Sequence, residues 1–204
     1  MSMPFIDLKA QQARIKDSLM AGINRVLDHG GYVMGPEVQL LERQLAEFAG
    51  AKYCLSCANG TDALELALMA LGAGPGDAVF CPSFTFAATA EIVPASGAVP
   101  YFVDIDPITY NLCAKSLERC ITQAKKDGLA PRGVIPVDLF GLPADYDVLE
   151  AMSRAEGLWM IEDAAQGFGA RRGNKVAGSF GDIATTSFFP AKPLGCYGDG
   201  GAIF

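Results

Sequence analysis

Apolar residues recur at helical spacing in two early stretches and gather into short runs after them. Ile15, Leu19, Ile23 and Leu27 repeat every four residues, predicting a helix from Ala10 to His29 that ends at Gly30-Gly31. Val38, Leu41, Leu45 and Phe48 predict a second helix, started by Pro36 and stopped by Gly50. Beyond it, strand and helix patterns alternate. Strands are expected at Tyr53–Cys57, Ala78–Cys81, Val99–Val103, Gly133–Val137 and Leu158–Ile161. Helices are expected through Leu64 and Leu68 to Gly72, from about Phe86 to Ala95, near Ser116 to Lys126 and from Tyr146 to Ala155. Runs such as Leu158-Trp159-Met160-Ile161 are apolar throughout, which implies burial on both faces and therefore a mainly parallel sheet in an α/β fold. Residues 1–35 then form an N-terminal helical segment and loop outside the core, and residues 36–204 the α/β domain. No internal repeat or low-complexity linker interrupts it.

Composition agrees with a folded domain: 204 residues, 50% hydrophobic and 19% charged, can bury a core and exclude disorder, a coiled coil or a collagen-like rod. No window approaches about 18 consecutive apolar residues, and Met1 to Asp7 has neither the basic end nor the apolar stretch of a signal peptide. A soluble, cytoplasmic protein without a membrane partner is the expectation. A net charge of −7 argues against broad affinity for nucleic acid or anionic membranes. The six cysteines include one C-x-x-C, Cys54 and Cys57, with no second pair and a single distant histidine, His29, so no metal site is expected. Tyr53 to Cys57 reads better as a buried strand than as a redox helix start. The chain stops at Gly200-Gly201-Ala202-Ile203-Phe204, a Gly-rich turn and the start of a strand, which reads as a cut in a longer protein.

In open parallel sheets, ligands collect outside the carboxyl ends of the strands, so chemistry is sought just after each run. Asn59-Gly60-Thr61-Asp62 offers backbone N–H groups and a hydroxyl at a helix start, as an anionic phosphate needs; ordinary capping by Thr61 or Asp62 is the competing reading. Asp163, after a buried strand, needs a cationic partner such as a protonated heterocyclic nitrogen, or else caps the segment that follows. Lys192 sits in an apolar Gly/Pro-rich loop, Ser187 to Gly195. Desolvation there would free its amine as a nucleophile toward an aldehyde, whereas an exposed lysine is the plainer alternative. Ser187 adds a second hydroxyl for a phosphate. A phosphate cradle, an anion for a ring nitrogen and a Schiff-base amine are the three attachments of pyridoxal phosphate.

With these residues in this order, the sequence resembles the DegT/DnrJ/StrS family of sugar aminotransferases. The likeness is carried by Gly35-Pro36-Glu37-Val38, Ala58-Asn59-Gly60-Thr61-Asp62-Ala63-Leu64, Thr85-Phe86-Ala87-Ala88-Thr89-Ala90, Val103-Asp104-Ile105-Asp106, Glu162-Asp163-Ala164-Ala165-Gln166 and Ser187 to Gly195. Within the family, Ser56 to Asp62 and Gly195 to Ala202 look most like enzymes that aminate UDP-2-acetamido-2-deoxy-3-oxo-hexuronic acid for O-antigen sugars. The resemblance implies the aspartate aminotransferase fold (fold type I), pyridoxal 5'-phosphate at a homodimer interface, a nucleotide-sugar substrate and L-glutamate as donor. It implies that residues 1–35 lie on the substrate side and that a small C-terminal domain follows residue 204, with an asparagine reaching the phosphate from the partner subunit.

Carried over by position, Lys192 holds the cofactor's aldehyde and shuttles the proton, and Asp163 keeps the pyridinium nitrogen protonated. Phe86 stacks on the ring, although an aromatic just after a strand is more often core. Gln166 lies near the phenolic oxygen, and Gly60-Thr61, the Asp62 backbone and Ser187 hold the phosphate. Some members carry histidine in place of the lysine and dehydrate their sugar; Lys192 favours transamination. Gly167 stands where serine is common, which implies a looser loop. Two other readings stand beside this one. A nicotinamide-dependent oxidoreductase is suggested by Gly72-Ala73-Gly74-Pro75-Gly76, but that cluster follows a helix and precedes a strand, the reverse of the dinucleotide fingerprint. The other is a truncated or regulatory relative that binds pyridoxal phosphate or a partner without turnover.

Overall fold

Residues 6–204 are described by a computed structural model. Met1 to Phe5, most of the segment read above for a signal peptide, lie outside the described residues. Helix α1 (Leu8–His29) is capped by the Asp7 carboxylate, which accepts from Ala10 N at 3.0 Å, and ends at Gly30 in the left-handed region. It buries no side chain, and Ile15, Ile23 and Leu27 remain exposed. Helix α2 (Pro36–Ala49) begins on its proline and stops at left-handed Gly50, as its terminal residues dictate.

Strand β1 (Leu55–Cys57) is shorter than the expected Tyr53–Cys57 and is not the buried strand expected: Cys54 ahead of it is buried, but Tyr53 and Leu55 are exposed. Then follow α3 (Gly60–Ala70), β2 (Asp77–Pro82), α4 (Ala88–Ala95), β3 (Val99–Val103), α5 (Ala114–Lys126), β4 (Ala130–Val134), α6 (Tyr146–Glu156) and β5 (Trp159–Asp163). A two-stranded ribbon, β6 (Arg171–Arg172) and β7 (Lys175–Val176), precedes β8 (Ile183–Ser187) and β9 (Gly201–Ile203). Two shifts bear on the site. Helix α4 starts at Ala88, which leaves Phe86 in the connection before it. The strand expected at Gly133–Val137 is β4 at Ala130–Val134, because Pro136 has no N–H to continue a regular ladder. Extended pairing nevertheless persists, with Ile135 N donating to Phe80 O and Asp163 N to Pro136 O.

The seven-stranded sheet has the order β1-β9-β8-β5-β4-β2-β3. Strands β3, β2, β4, β5 and β8 run parallel to one another, and β9 is antiparallel to both β8 and β1. Side chains of β2 alternate between the two faces. Ala78 and Phe80 join Leu117, Tyr146 and Leu149 under α5 and α6, while Val79 joins Leu64, Leu68 and Ile92 under α3 and α4. Both faces are thus covered, which is why the run is apolar without alternation. Each fully buried Leu or Phe there stabilises the fold by roughly 1.5–3 kcal/mol. Among the described residues no helix is long and apolar enough to cross a membrane. Because only β9 is reversed, the ends of β1, β2, β5 and β8 and the start of β9 share one edge.

Candidate active site

All eight residues singled out from the sequence line one cavity of about 970 Å³ at that edge. Its phosphate-like end is built where three strands meet. Helix α3 starts at Gly60, and its cap is Asn59, whose Oδ1 accepts from Asp62 N at 2.8 Å. This corrects the expected capping by Thr61 or Asp62. It also alters the donor set: the Asp62 N–H is engaged, whereas Gly60 and Thr61 N–H have no protein partner among the described residues. A β-carbon at Gly60 would lie 2.7 Å from Ser187 Cβ, and one at Gly201 would strike Asn59 O. Bare glycines at both positions let the helix start sit directly on β8 and β9. Ser187 is thereby pressed against the first turn of α3; its Oγ accepts from Phe189 N at 3.2 Å, leaving its O–H free to donate.

At the opposite end, Asp163 closes β5 and is only 5% exposed. Its Oδ2 accepts from Thr89 Oγ1 at 2.8 Å, and Thr89 is in turn 2.9 Å from Thr85 Oγ1. Its Oδ1 accepts from Ala165 N at 3.1 Å, so the local capping role also exists. Burial pushes this carboxyl above its ordinary range, while the Thr89 and Ala165 hydrogen bonds and the Lys192 charge pull it back. A cationic N–H donor against it would offset the desolvation. Thr89 was not singled out as a site residue, although two threonines four apart at a helix start were a visible signal.

Lys192 is half-buried, with Nζ 6.0 Å from the centre of the Phe86 ring. Phe86 is 65% exposed, which removes the core reading for it. The lysine loop is pinned by Lys192 N to Phe189 O, Cys196 N to Phe188 O and Phe188 N to Gly200 O, at 2.8, 2.7 and 2.7 Å. Gln166 Oε1 accepts from Phe140 N at 2.9 Å, so its amide N–H groups remain available to the cavity. Asn59, Thr85, Phe140 and Asp199 also line it; Asn59 belongs to the turn read for a phosphate, and the other three had no role assigned from the sequence.

Beneath the site lies a buried acidic pair. Asp138 Oδ1 accepts from Ala144 N at 3.1 Å and Tyr146 O–H at 2.7 Å, while Glu162 accepts from Gly178 N and Phe180 N, both at 2.8 Å. Gly167, expected to loosen its loop, instead packs against Asp138 so closely that a β-carbon there would collide with it. Burial pushes Asp138 up to about 6; burial and then the Asp138 charge push Glu162 up to about 9. Both values lie above those of an unfolded chain, so the folded protein holds protons that the unfolded one releases. The resulting stability is complete below the ordinary carboxylate range and is lost as pH rises through about 6 and then about 9. The melting temperature of the full-length protein is expected to fall between pH 6 and pH 9, and Glu162→Gln to flatten the upper part of that fall. A wild-type melting temperature that stays level across this window would rule out raised carboxyls at Asp138 and Glu162.

All six cysteines are free thiols, with Cys54 and Cys81 each pushed by burial up to about 12. Burial makes Cys54 and Cys81 packing residues.

The chain is 58% identical over 200 residues to the UDP-2-acetamido-2-deoxy-3-oxo-D-glucuronate aminotransferase of Pseudomonas aeruginosa, covering 98% of this chain and 54% of that protein. A crystal structure of a DegT DnrJ EryC1 StrS aminotransferase from Brucella abortus matches all of this chain and 55% of its own, with a TM-score of 0.98 at 54% identity. The structure of NtdA from Bacillus subtilis with bound cofactor PMP matches 99% of this chain and 44% of its own, with a TM-score of 0.89 at 32% identity. The chain thus spans about half the length of the relatives it matches. The fold is that of the large domain of these aminotransferases, with its mostly parallel sheet. Since the DegT/DnrJ/EryC1/StrS aminotransferase family matches residues 13–204, nearly the whole sequence, the chain belongs to that family.

Proposed function

We propose that this chain carries the cofactor-binding half of a pyridoxal-phosphate-dependent aminotransferase that moves the amino group of L-glutamate to the ketone of a nucleotide-linked sugar. One observation carries the reading: a single cavity gathers one lysine, one buried aspartate and a helix start with free N–H groups. These fit the cofactor's three attachments. Gly60 and Thr61 N–H with the Thr61 and Ser187 hydroxyls suit a phosphate dianion at the positive end of α3. The buried carboxylate of Asp163 suits a protonated ring nitrogen, the exposed face of Phe86 suits the ring, and the free amide N–H of Gln166 suits its phenolic oxygen.

Bound there, pyridoxal phosphate supplies an electron sink next to the carbon that gains or loses a proton. The chain's own residues do the rest. Lys192 Nζ would hold the cofactor's aldehyde, and its amine is the group placed to take up and return a proton there. Asp163 keeps the ring nitrogen protonated, and Thr89 aims its carboxylate. Phe86, its ring near Lys192 Nζ, would hold the cofactor ring against the lysine.

Likeness to the Pseudomonas enzyme supports a UDP-linked 2-acetamido-3-oxo-hexuronate as substrate, and so a role in O-antigen or related surface polysaccharide. We place the protein in the cytoplasm as a homodimer with shared sites, a state supported by the uncovered apolar face of α1. The full-length protein, loaded with pyridoxal phosphate, is expected to convert it to pyridoxamine phosphate with glutamate and then aminate that sugar, eluting as a dimer in light scattering. A protein that binds pyridoxal phosphate yet shows no glutamate-driven conversion is instead a non-catalytic relative.

A further inference from the structure

Phe84, Tyr110 and Phe140 form an aromatic cluster at the ligand edge, with ring centres 6.0, 6.3 and 6.2 Å apart in the three pairings. They come from three separate connections, after β2, β3 and β4, yet none is buried: 48%, 45% and 72% of their surfaces stay exposed. Rings that meet usually do so inside a core. Two of these are also held at a backbone cost, since Tyr110 has φ 60° and Phe140 φ 55°, the left-handed region that bulky residues avoid.

The surrounding structure enforces this arrangement. Asp106 Oδ1 accepts from Ile108 N and Thr109 N at 2.9 Å each, and Tyr110 N donates to Asp106 O at 2.8 Å. Buried Asn111 ties the two loops together, its Nδ2 donating to Leu142 O at 2.9 Å. Phe140 is fastened from the cavity side, through Gln166 Oε1 at 2.9 Å. Because Phe140 also lines the cavity, the cluster is a continuation of the site onto its rim.

We propose that Phe84, Tyr110 and Phe140 are a stacking platform for the nucleobase of the substrate, an inference that rests on the nucleotide-sugar reading above. With the keto carbon at Lys192, the diphosphate and ribose carry the base out of the cavity, and Phe140 stands at that exit. Stacking on aromatic faces tolerates any base, because every base has a π-face. An interface with a second copy accounts for the exposure but not for the tie to Gln166.

The test uses the full-length protein loaded with pyridoxal phosphate, with UDP and inorganic pyrophosphate as calorimetric probes. Phe84→Leu and Phe140→Leu are each expected to raise the Kd of UDP about 10-fold while leaving pyrophosphate affinity within about 2-fold. Saturation-transfer NMR on the unsubstituted protein should carry magnetisation from the rings to uracil H5 and H6, a readout independent of variant folding. Equal UDP affinity in both variants, or no transfer to the uracil protons, overturns the proposal. So does a loss of the dimer with an unchanged ratio of UDP to pyrophosphate affinity, which would assign the cluster to a subunit interface. Glutamate-driven conversion in the unsubstituted protein is scored separately, so the platform can fail while the aminotransferase reading stands, and the reverse.

Discussion

Lys192→Ala in the full-length protein is expected to remove the visible absorption band that forms on adding pyridoxal phosphate and to lower amino transfer from glutamate by roughly 10³-fold or more. Among the residues lining the cavity, Lys192 is the only one with an amine, so nothing nearby can replace it as nucleophile or proton carrier. Lys192→Arg keeps the charge beside Asp163 but offers no amine of usable nucleophilicity, and the same loss is expected from it. The phosphate end of the site is untouched by either change. Cofactor should therefore still bind, without the covalent attachment, and dialysis should remove it more readily. Retention of both band and turnover in Lys192→Ala would end the assignment of this loop to the chemistry.

Asp163→Asn should separate catalysis from stability. An amide is nearly the same shape and can still accept from Thr89 or Ala165, but it carries no charge to keep a ring nitrogen protonated. A loss of roughly 10²-fold or more in transamination is expected, of the size seen when a preorganised electrostatic group is removed. The cofactor-free protein should melt no lower than wild type, because burial already works against the Asp163 carboxylate. Turnover that survives this substitution would show that the ring nitrogen's charge is set elsewhere.

Most of the sheet was legible because its strands announce themselves chemically. Val99–Val103 is observed at the expected bounds, and the apolar runs at Ala78 and Leu158 lie in β2 and beside β5. Strand β8 was not, and its composition explains why. Ile183-Ala184-Thr185-Thr186-Ser187 has one large apolar side chain, and its buried hydroxyls are satisfied by Glu162 O at 3.2 Å and Ala164 O at 3.3 Å, partners that exist only once β5 is alongside. A polar strand buried by its neighbours leaves no periodic trace. The site shows the same division. Lysine, aspartate and glycine-rich turn could be read in order from the chain, whereas Thr89's hold on Asp163 joins residues 74 apart in sequence. Asn59's capture of the helix start was misassigned to its neighbours, because Asn, Thr and Asp all cap and only the backbone decides which one does.

The reversed strand β9 has a consequence for Lys192. A chain leaving a parallel strand must normally cross to the far edge before the next strand begins, but β8 ends at Ser187 and β9 begins at Gly201 directly opposite it. Residues 188–200 are therefore a leash fastened at both ends on the edge that carries the cavity. A lysine on such a leash, displaced by an incoming amine, has nowhere to diffuse. Its concentration at the reacting carbon is set by the length of the tether, in the way linked binding modules keep a high effective concentration of one another. The antiparallel pairing of β8 with β9 thus keeps Lys192 at the cavity, as the proposed role for its amine requires.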